Sequence, residues 1–146
     1  MYSFLEETVA ENMTRAVKTV APQTTMRALR QLFAEDDFNG YPVVSDGKLL
    51  GVVSKFDFLN CFVFTPSHLI PRYDDLMDKT VAEAMTREFI SVGPNVKLQR
   101  VLQLMVSHRV RSMPVVDNQG HLSGIIARED VMRALDRSTQ SPENKR

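Results

Sequence analysis

Between residues 41 and 58, two apolar runs separated by a short polar turn predict a β-hairpin, and the residues after them predict a helix. Apolar runs cover 41–45 and 48–53, and between them stands Asp46-Gly47, a pair typical of two-residue hairpin turns. Ser54-x-x-Asp57 follows the second run, and a small polar residue with an acid three positions later marks the start of a helix.

The same pattern returns near the end of the chain, so the sequence is built on a repeat. Strands are predicted over 112–117 and 121–127, again followed by a helix start. The segment that opens the first copy, Thr8 to Thr14, recurs as Thr80 to Thr86. Equivalent positions in the two copies are Pro42 and Pro114, Gly51 and Gly124, and Asp57 and Asp130.

The remaining periodicities complete each copy. In the first half they predict a short helix from Phe4 to about Thr14, a strand at 18–20, and a helix capped by Thr24 or Thr25. In the second half they predict a helix at 81–85, a strand near 89–92, a helix over 97–108 and a closing helix from Arg128 to about Asp136. Strand–helix–strand–strand–helix, twice, indicates an α/β fold with helices covering small sheets.

The predicted helix after Ser54 has almost no polar face, because Phe56, Phe58, Leu59 and the residues 61–64 are apolar. A helix that is apolar all round is buried on more than one side, and in so short a chain the second side is expected to be another subunit. Residues 65–79, with Pro66 and Pro71 among them, are predicted as a linker.

Composition narrows the class of protein. With 146 residues, 43% of them apolar, the chain can form about one globular unit. The 18 basic and 18 acidic residues balance, which disfavours nucleic acid and anionic membranes as partners. One cysteine, no membrane-length apolar run and no signal-peptide pattern at the N-terminus predict a cytoplasmic protein.

The duplicated pattern, apolar-Pro-Val-Val, Gly-apolar-apolar and then Ser/Thr-x-x-Asp, resembles a tandem pair of CBS domains, often called a Bateman module. The resemblance implies two β-α-β-β-α repeats packed with pseudo-two-fold symmetry, usually as a dimer of modules. We assign residues 7–64 to the first repeat, 65–79 to the linker, 80–136 to the second repeat and 137–146 to a flexible tail.

Many proteins of this family bind adenosine derivatives in clefts between the repeats, so the resemblance implies an adenine nucleotide (AMP, ADP or ATP) or S-adenosylmethionine as regulatory ligand, with no cofactor required. By resemblance Asp57 and Asp130 would hold the ribose hydroxyls, as acidic residues do in dinucleotide-binding folds. The other expected ligand-binding residues are Tyr41 and Met113, which should line an adenine slot, the adjacent Pro42 and Pro114, and Ser54, Lys55, Arg111 and Arg128 near the phosphates.

The two sites depart from the family pattern in different ways, so we expect unequal affinities. The first keeps Ser54 and Asp57, but Asp36-Asp37 in the turn before its hairpin would repel a phosphate. In the second, Ala127 stands where a hydroxyl is usual. Positive charge from Arg128 and from the cluster His108, Arg109 and Arg111 can compensate, because guanidinium groups bind phosphate bidentately.

Other interpretations of the same residues remain open. Ser-x-x-Asp is also an ordinary N-cap, and the chain can be a structural or interaction module with degenerate ligand sites. Nucleic-acid binding through Lys97, Arg100, Arg109 and Arg111 is less favoured. No nucleophile–base pair or metal-ligand spacing appears, so we expect no enzyme activity. A switch without an effector domain is expected to act on a separate, unidentified protein or on the oligomer itself.

Overall fold

The computed structural model describes residues 2–63 and 72–140 and confirms the α/β class. The elements in chain order are α1 (Tyr2–Glu6), α2 (Val9–Asn12), α3 (Met26–Glu35), β1 (Gly40–Ser45), β2 (Lys48–Ser54), α4 (Lys55–Asn60), α5 (Tyr73–Met77), α6 (Val81–Ala84), α7 (Leu98–His108), β3 (Ser112–Val116), β4 (Leu122–Ala127) and α8 (Arg128–Gln140). No described helix is long and apolar enough to cross a membrane.

The chain forms two compact units. One consists of Lys18–Phe89 and is called the Asp57 unit here. The other, the Asp130 unit, combines Met1–Val17 with Ile90–Arg146. The units therefore differ in composition from the sequence repeats, because the segment that opens each repeat belongs to the unit formed by the other repeat's hairpin.

Each unit is built around an antiparallel hairpin. In the Asp57 unit β1 pairs with β2, and the turn between them contains Asp46 and Gly47 at φ 53° and 80°. Both residues of a type I′ turn need positive φ, which explains the Asp-Gly signal in the sequence. Single bridging residues extend the hairpin on both sides: Val20 lies parallel to Val43, and Thr86 lies antiparallel to Val52.

The Asp130 unit repeats this arrangement with β3 and β4. Val92 lies parallel to Val115 on one side, and Thr14 lies antiparallel to Ile125 on the other. Thr14 comes from the opening segment of the first sequence repeat and Thr86 from that of the second. The two opening segments are thus exchanged between the hairpins.

Gly51 and Gly124 are needed where these opening segments approach. A Cβ on Gly51 would lie 2.6 Å from the carbonyl oxygen of Thr86, and one on Gly124 would lie 2.5 Å from that of Thr14. Such distances are shorter than van der Waals contact, so any side chain would force the strands apart.

Each unit has its own hydrophobic core. In the Asp57 unit the core contains Met26, Leu29, Phe33, Tyr41, Val43, Val53, Met77 and Val81. In the Asp130 unit it contains Phe4, Val9, Leu98, Val101, Met113, Ile126 and Val131. Opening-segment residues appear in both lists, so burial of their side chains stabilises the exchanged arrangement.

The helix boundaries depart from the predictions at several places. The prediction of a single opening helix is wrong. Thr8 is extended, separates α1 from α2 and forms a β-bridge with Lys97. The closing helix continues beyond Asp136 to Gln140, within the stretch assigned to a tail. Arg137 donates to Glu7 across 2.8 Å and also to Asn12, and so connects this last part of α8 to the opening segment.

The stretch expected to link the repeats contains α5, whose Leu76 and Met77 are buried. The predicted strands at 18–20 and 89–92 are reduced to the single bridging residues Val20 and Val92. The apolar helix after Ser54 was predicted to reach residue 64; α4 ends at Asn60, and residue 64 lies outside the described residues.

Candidate ligand sites at Asp57 and Asp130

Asp57 closes a capping box at the start of α4. The amide and the hydroxyl of Ser54 donate to Asp57 Oδ2 across 2.8 and 3.0 Å, and the Asp57 amide donates back to Ser54 Oγ across 3.1 Å. The N-cap interpretation of Ser-x-x-Asp therefore holds at this position. The Ser54 hydroxyl already donates to Asp57, so it does not offer the phosphate a further proton.

The other oxygen of Asp57 is held by a distant residue. Thr86, just after α6, donates its hydroxyl to Asp57 Oδ1 across 3.0 Å. Three protein donors thus fix the carboxylate, which is half-buried at the surface of its unit. Since a carboxylate can accept about four hydrogen bonds, one acceptor position remains on Oδ1.

The side chain of Tyr41 lies in the core of the Asp57 unit. Its side chain is 2% exposed, and its hydroxyl hydrogen-bonds the Leu32 carbonyl and Asp36 Oδ2 at 3.0 and 2.7 Å. Burial, reinforced by the bond to Asp36, raises the pKa of Tyr41 far above its ordinary value. Any contribution of Tyr41 to an adenine slot must come from its main chain.

The negative charge of Asp36 is balanced by an ion pair with Lys18. Lys18 lies 2.8 Å from Asp36 Oδ2, and the hydrogen bonds from Lys18 and Tyr41 lower the pKa of this carboxyl. The repulsion of a phosphate expected from Asp36 is therefore weakened by a neighbour that the sequence analysis did not identify.

Pro42 and Lys55 complete the candidate residues of this unit. The Pro42 carbonyl accepts a hydrogen bond from the Val20 amide at 3.0 Å, so it forms part of the sheet. Lys55 is exposed, and its ammonium lies 5.8 Å from the centroid of the Phe33 ring, within the range of a cation–π contact. Lys55 is the positive charge closest in sequence to Asp57.

Asp130 occupies the same place at the start of α8 but in different surroundings. The Ala127 amide donates to Asp130 Oδ2 across 2.8 Å, and the guanidinium of Arg133 hydrogen-bonds Oδ1. The Asp130 side chain is only 4% exposed, whereas that of Arg133 is 64% exposed. A buried carboxylate is thus paired with a cation at the surface.

The other candidates of the Asp130 unit divide between core and surface. Met113 is fully buried, and the Pro114 carbonyl accepts from the Val92 amide at 3.1 Å. Arg111 and Arg128 have exposed side chains, and the Arg128 amide donates to the Arg111 carbonyl across 3.0 Å. These two arginines are therefore adjacent, beside the start of α8.

Two site residues escaped the sequence analysis. Thr86 is 29 residues from Asp57, and no local spacing connects them. Arg133 lies one helical turn after Asp130, so the i, i+3 spacing did offer a signal. Within residues 2–63 and 72–140, no cluster of three or more His, Cys, Asp or Glu side chains could hold a metal ion; His68 lies outside that part.

These features define a duplicated α/β protein in which each unit carries an aspartate at the start of a helix that follows a hairpin. The family model of the CBS domain matches the chain twice, over residues 7–63 and 81–137. The chain therefore belongs to the CBS-domain family, as a tandem pair, and the resemblance inferred from the sequence is confirmed.

Known proteins agree with this assignment. The CBS domain-containing protein YhcV of Bacillus subtilis is 32% identical over 124 residues, which cover 84% of this chain and 81% of YhcV. The crystal structure of CBSX2 from Arabidopsis thaliana superposes with a TM-score of 0.77 at 31% identity, covering 92% of this chain and 97% of the other. CBSX2 in complex with AMP gives a TM-score of 0.75 at 29% identity and covers 91% and 98%.

The chain also resembles a part of larger proteins. Inosine-5'-monophosphate dehydrogenase of Thermoplasma acidophilum is 32% identical over 127 residues, and these cover 87% of this chain but 23% of the dehydrogenase. The chain spans 39% and 46% of two uncharacterized proteins of Methanocaldococcus jannaschii. It thus corresponds to less than half of each of these relatives.

Proposed function

We propose that this protein is a non-catalytic regulatory module that binds an adenine nucleotide and signals to a separate protein. The observation that carries the proposal is the fixed carboxylate of Asp57, oriented by Ser54 and Thr86. Support comes from the similarity to CBSX2, which was crystallised in complex with AMP. The cytoplasm, where adenine nucleotides are abundant, is the proposed location.

Asp57 is suited to binding a ribose because protein hydrogen bonds fix the orientation of its carboxylate, and one acceptor position on Oδ1 remains free. One ribose hydroxyl donates to the remaining position on Oδ1, and the second replaces the Thr86 hydroxyl or shares its oxygen. Preorientation lowers the entropy cost of binding, since the side chain need not be ordered by the ligand. Exposed Lys55 supplies positive charge for the phosphates.

The Asp130 unit is the second proposed site. Arg111 and Arg128 bring two exposed guanidinium groups beside the start of α8, and each can bind a phosphate bidentately. We propose that this positive charge compensates for the hydroxyl donor that Ala127 lacks. The two sites therefore differ in affinity and in their preference for phosphate.

The proposed signal is a linkage effect. A nucleotide that binds one conformation of the protein more tightly shifts the population toward it, and a partner that recognises that conformation is switched. The partner is a separate effector protein.

A second candidate function, an interaction module whose ligand sites are degenerate, is favoured by a different observation. Phe56, Leu59 and Val63 are 83%, 59% and 70% exposed, although Phe58 and Phe62 of the same segment pack on the core. An exposed apolar surface of this kind is typical of protein contacts. We include a homodimer formed through this face of α4 in the proposal.

The test is a calorimetric and thermal-shift titration of the purified protein with AMP, ADP, ATP, S-adenosylmethionine and GMP. A ligand at a hundred times its Kd stabilises the folded state by about 2.7 kcal/mol, a readily measured shift. Asp57→Asn should abolish binding at the first site and Asp130→Asn at the second. Asp46→Asn makes the same chemical change in an exposed turn at φ 53°, where Asn is tolerated, and serves as control.

Loss of an adenine-specific shift in Asp57→Asn but not in Asp46→Asn would support the nucleotide site. If no adenine compound binds the wild-type protein at millimolar concentration, the nucleotide proposal is abandoned in favour of the interaction module.

A further inference from the structure

The two equivalent aspartates differ in what binds their second oxygen. In both units Oδ2 accepts a main-chain amide, from Ser54 or from Ala127. Asp57 Oδ1 accepts the neutral hydroxyl of Thr86, whereas Asp130 Oδ1 is bound by the cationic guanidinium of Arg133. The oxygen expected to receive a ribose hydroxyl is thus engaged by a charge in one unit only.

The difference is encoded in the sequence. When the two repeats are aligned on Asp57 and Asp130, Arg133 stands where the first repeat has Asn60. Asn60 is exposed at the end of α4. An arginine reaches back three positions along α8 to the carboxylate, and the shorter, uncharged asparagine makes no such ion pair among the described residues.

We propose that Arg133 is a specificity-determining latch that makes the Asp130 site select phosphorylated adenosine ligands over adenosine. The inference rests on the proposed nucleotide function and concerns the regulation of that second site. At the Asp130 site the guanidinium of Arg133 competes with the ribose for the carboxylate. A phosphate on the same ligand binds the guanidinium and so favours its release from Asp130.

The energetics of Asp130 explain why a phosphate is needed. Its side chain is 4% exposed, so removing its counter-charge leaves a desolvated carboxylate whose one remaining hydrogen bond shown here is that from the Ala127 amide. When an uncharged nucleoside displaces Arg133, the complex loses the ion pair of Asp130. The ribose hydroxyls replace it only with neutral hydrogen bonds. A nucleotide forms in addition a charge-assisted hydrogen bond between its phosphate and the released guanidinium, which offsets the loss of the ion pair.

The surroundings of Arg133 allow this movement. The Arg133 side chain is 64% exposed, so its guanidinium can rotate into solvent without disrupting the core. Two exposed arginines, Arg111 and Arg128, lie beside the start of α8 and attract an anion, while Glu129, 3.9 Å from Arg128, offsets part of their charge. A phosphate beside α8 therefore meets arginines that can replace the contact with Asp130.

The experiment compares AMP with adenosine by calorimetry in an Asp57→Asn background, which restricts binding to the Asp130 site. We expect AMP to bind at least about tenfold more tightly than adenosine, in line with the strength of charge-assisted hydrogen bonds. Arg133→Asn, which installs the residue of the first repeat, should increase adenosine affinity and reduce the AMP preference to about threefold or less. Arg133→Lys, which keeps the charge, should retain most of the preference.

Arg100→Asn is the matched control, because it removes an exposed arginine of the same unit on α7 and should leave the preference unchanged. Equal preference in the Arg133→Asn variant and its parent would overturn the latch. So would an Asp57→Asn protein that binds neither ligand while the wild-type protein binds AMP, a result that leaves the proposed function intact at Asp57. Failure of the wild-type protein to bind any adenine compound would reject the proposed function itself.

Discussion

Thr86 donates a hydrogen bond to Asp57 across 3.0 Å and thereby connects the opening segment of the second repeat to the helix start of the first. The backbone of Thr86 also pairs with Val52, the residue two positions before Ser54. The strand contact and the side-chain contact act together, so the orientation of the proposed ribose-binding carboxylate depends on a segment far away in sequence.

A double-mutant cycle with Thr86→Val and Asp57→Ala should give a coupling free energy of about 1 kcal/mol in urea unfolding, because the hydroxyl and the carboxylate interact directly. Thr14 is the equivalent of Thr86 in the Asp130 unit, where its backbone pairs with Ile125. Thr14→Val should show no coupling to Asp57→Ala. Additive effects of Thr86→Val and Asp57→Ala would contradict the hydrogen bond.

Gly51→Ala and Gly124→Ala should each destabilise the protein by about 1–3 kcal/mol, since the new Cβ would overlap a backbone carbonyl. Gly93→Ala is a suitable control. A Cβ there would meet its nearest atom, in Val96, at 3.9 Å, an ordinary contact, so the free energy of unfolding should change by less than about 0.5 kcal/mol. Equal unfolding midpoints for all three variants would show that the opening segments do not lie against these glycines.

The decrease in folding stability at acidic pH should depend on Lys18. Hydrogen bonds from Lys18 and Tyr41 hold the pKa of Asp36 below its ordinary 3.8, so the folded state binds this proton less readily than the unfolded state. Stability from this site is present above that ordinary value and is lost as pH falls through the lower pKa of the folded protein.

In Lys18→Ala the loss of stability on acidification should therefore be smaller, as measured by thermal melts at successive pH values. Lys48→Ala, which alters an exposed lysine of β2 next to the hairpin turn, should follow the wild-type curve. Identical acid limbs for Lys18→Ala and the wild-type protein would exclude the ion pair as their source.

The proposed dimer should depend on the exposed side of α4. Phe56→Glu with Leu59→Glu should reduce the mass measured by light scattering to that of a monomer, while the melting temperature of the fold changes little. Val106→Glu places the same charge at a position that is 71% exposed on α7 and should keep the dimer. A Phe56/Leu59 variant with wild-type mass would remove this face from the interface.

The hairpins and their caps were predictable because their signals are local. Asp46-Gly47 has the positive φ that such a turn requires, and Thr25 caps α3 by accepting from the Ala28 amide at 3.1 Å. The duplication repeated the hairpin pattern, although Lys97 and Ala127 stand where the first copy has the capping residues Thr25 and Ser54. The family was recognised from the resemblance of the duplicated pattern to CBS domains, which the family model supports.

Long-range features were not predictable from the same signals. The opening helix was expected to be continuous because Leu5, Val9 and Met13 follow helical spacing, but pairing of Thr8 with Lys97 interrupts it. The contact of the Tyr41 hydroxyl with the Leu32 carbonyl, near the end of α3, was likewise not indicated by any local spacing. Such contacts depend on tertiary neighbours, which a single sequence does not specify. That Tyr41 lines an adenine slot stays a prediction.

The exchange of opening segments has a consequence for how such a protein can arise. A peptide with one repeat would carry a hairpin but would lack an edge partner for it, since Thr14 serves β4 and Thr86 serves β2. If such an ancestor used the same arrangement, two copies would complete their sheets by exchanging this segment. Gene duplication and fusion would then have joined two molecules that were already mutually dependent for folding.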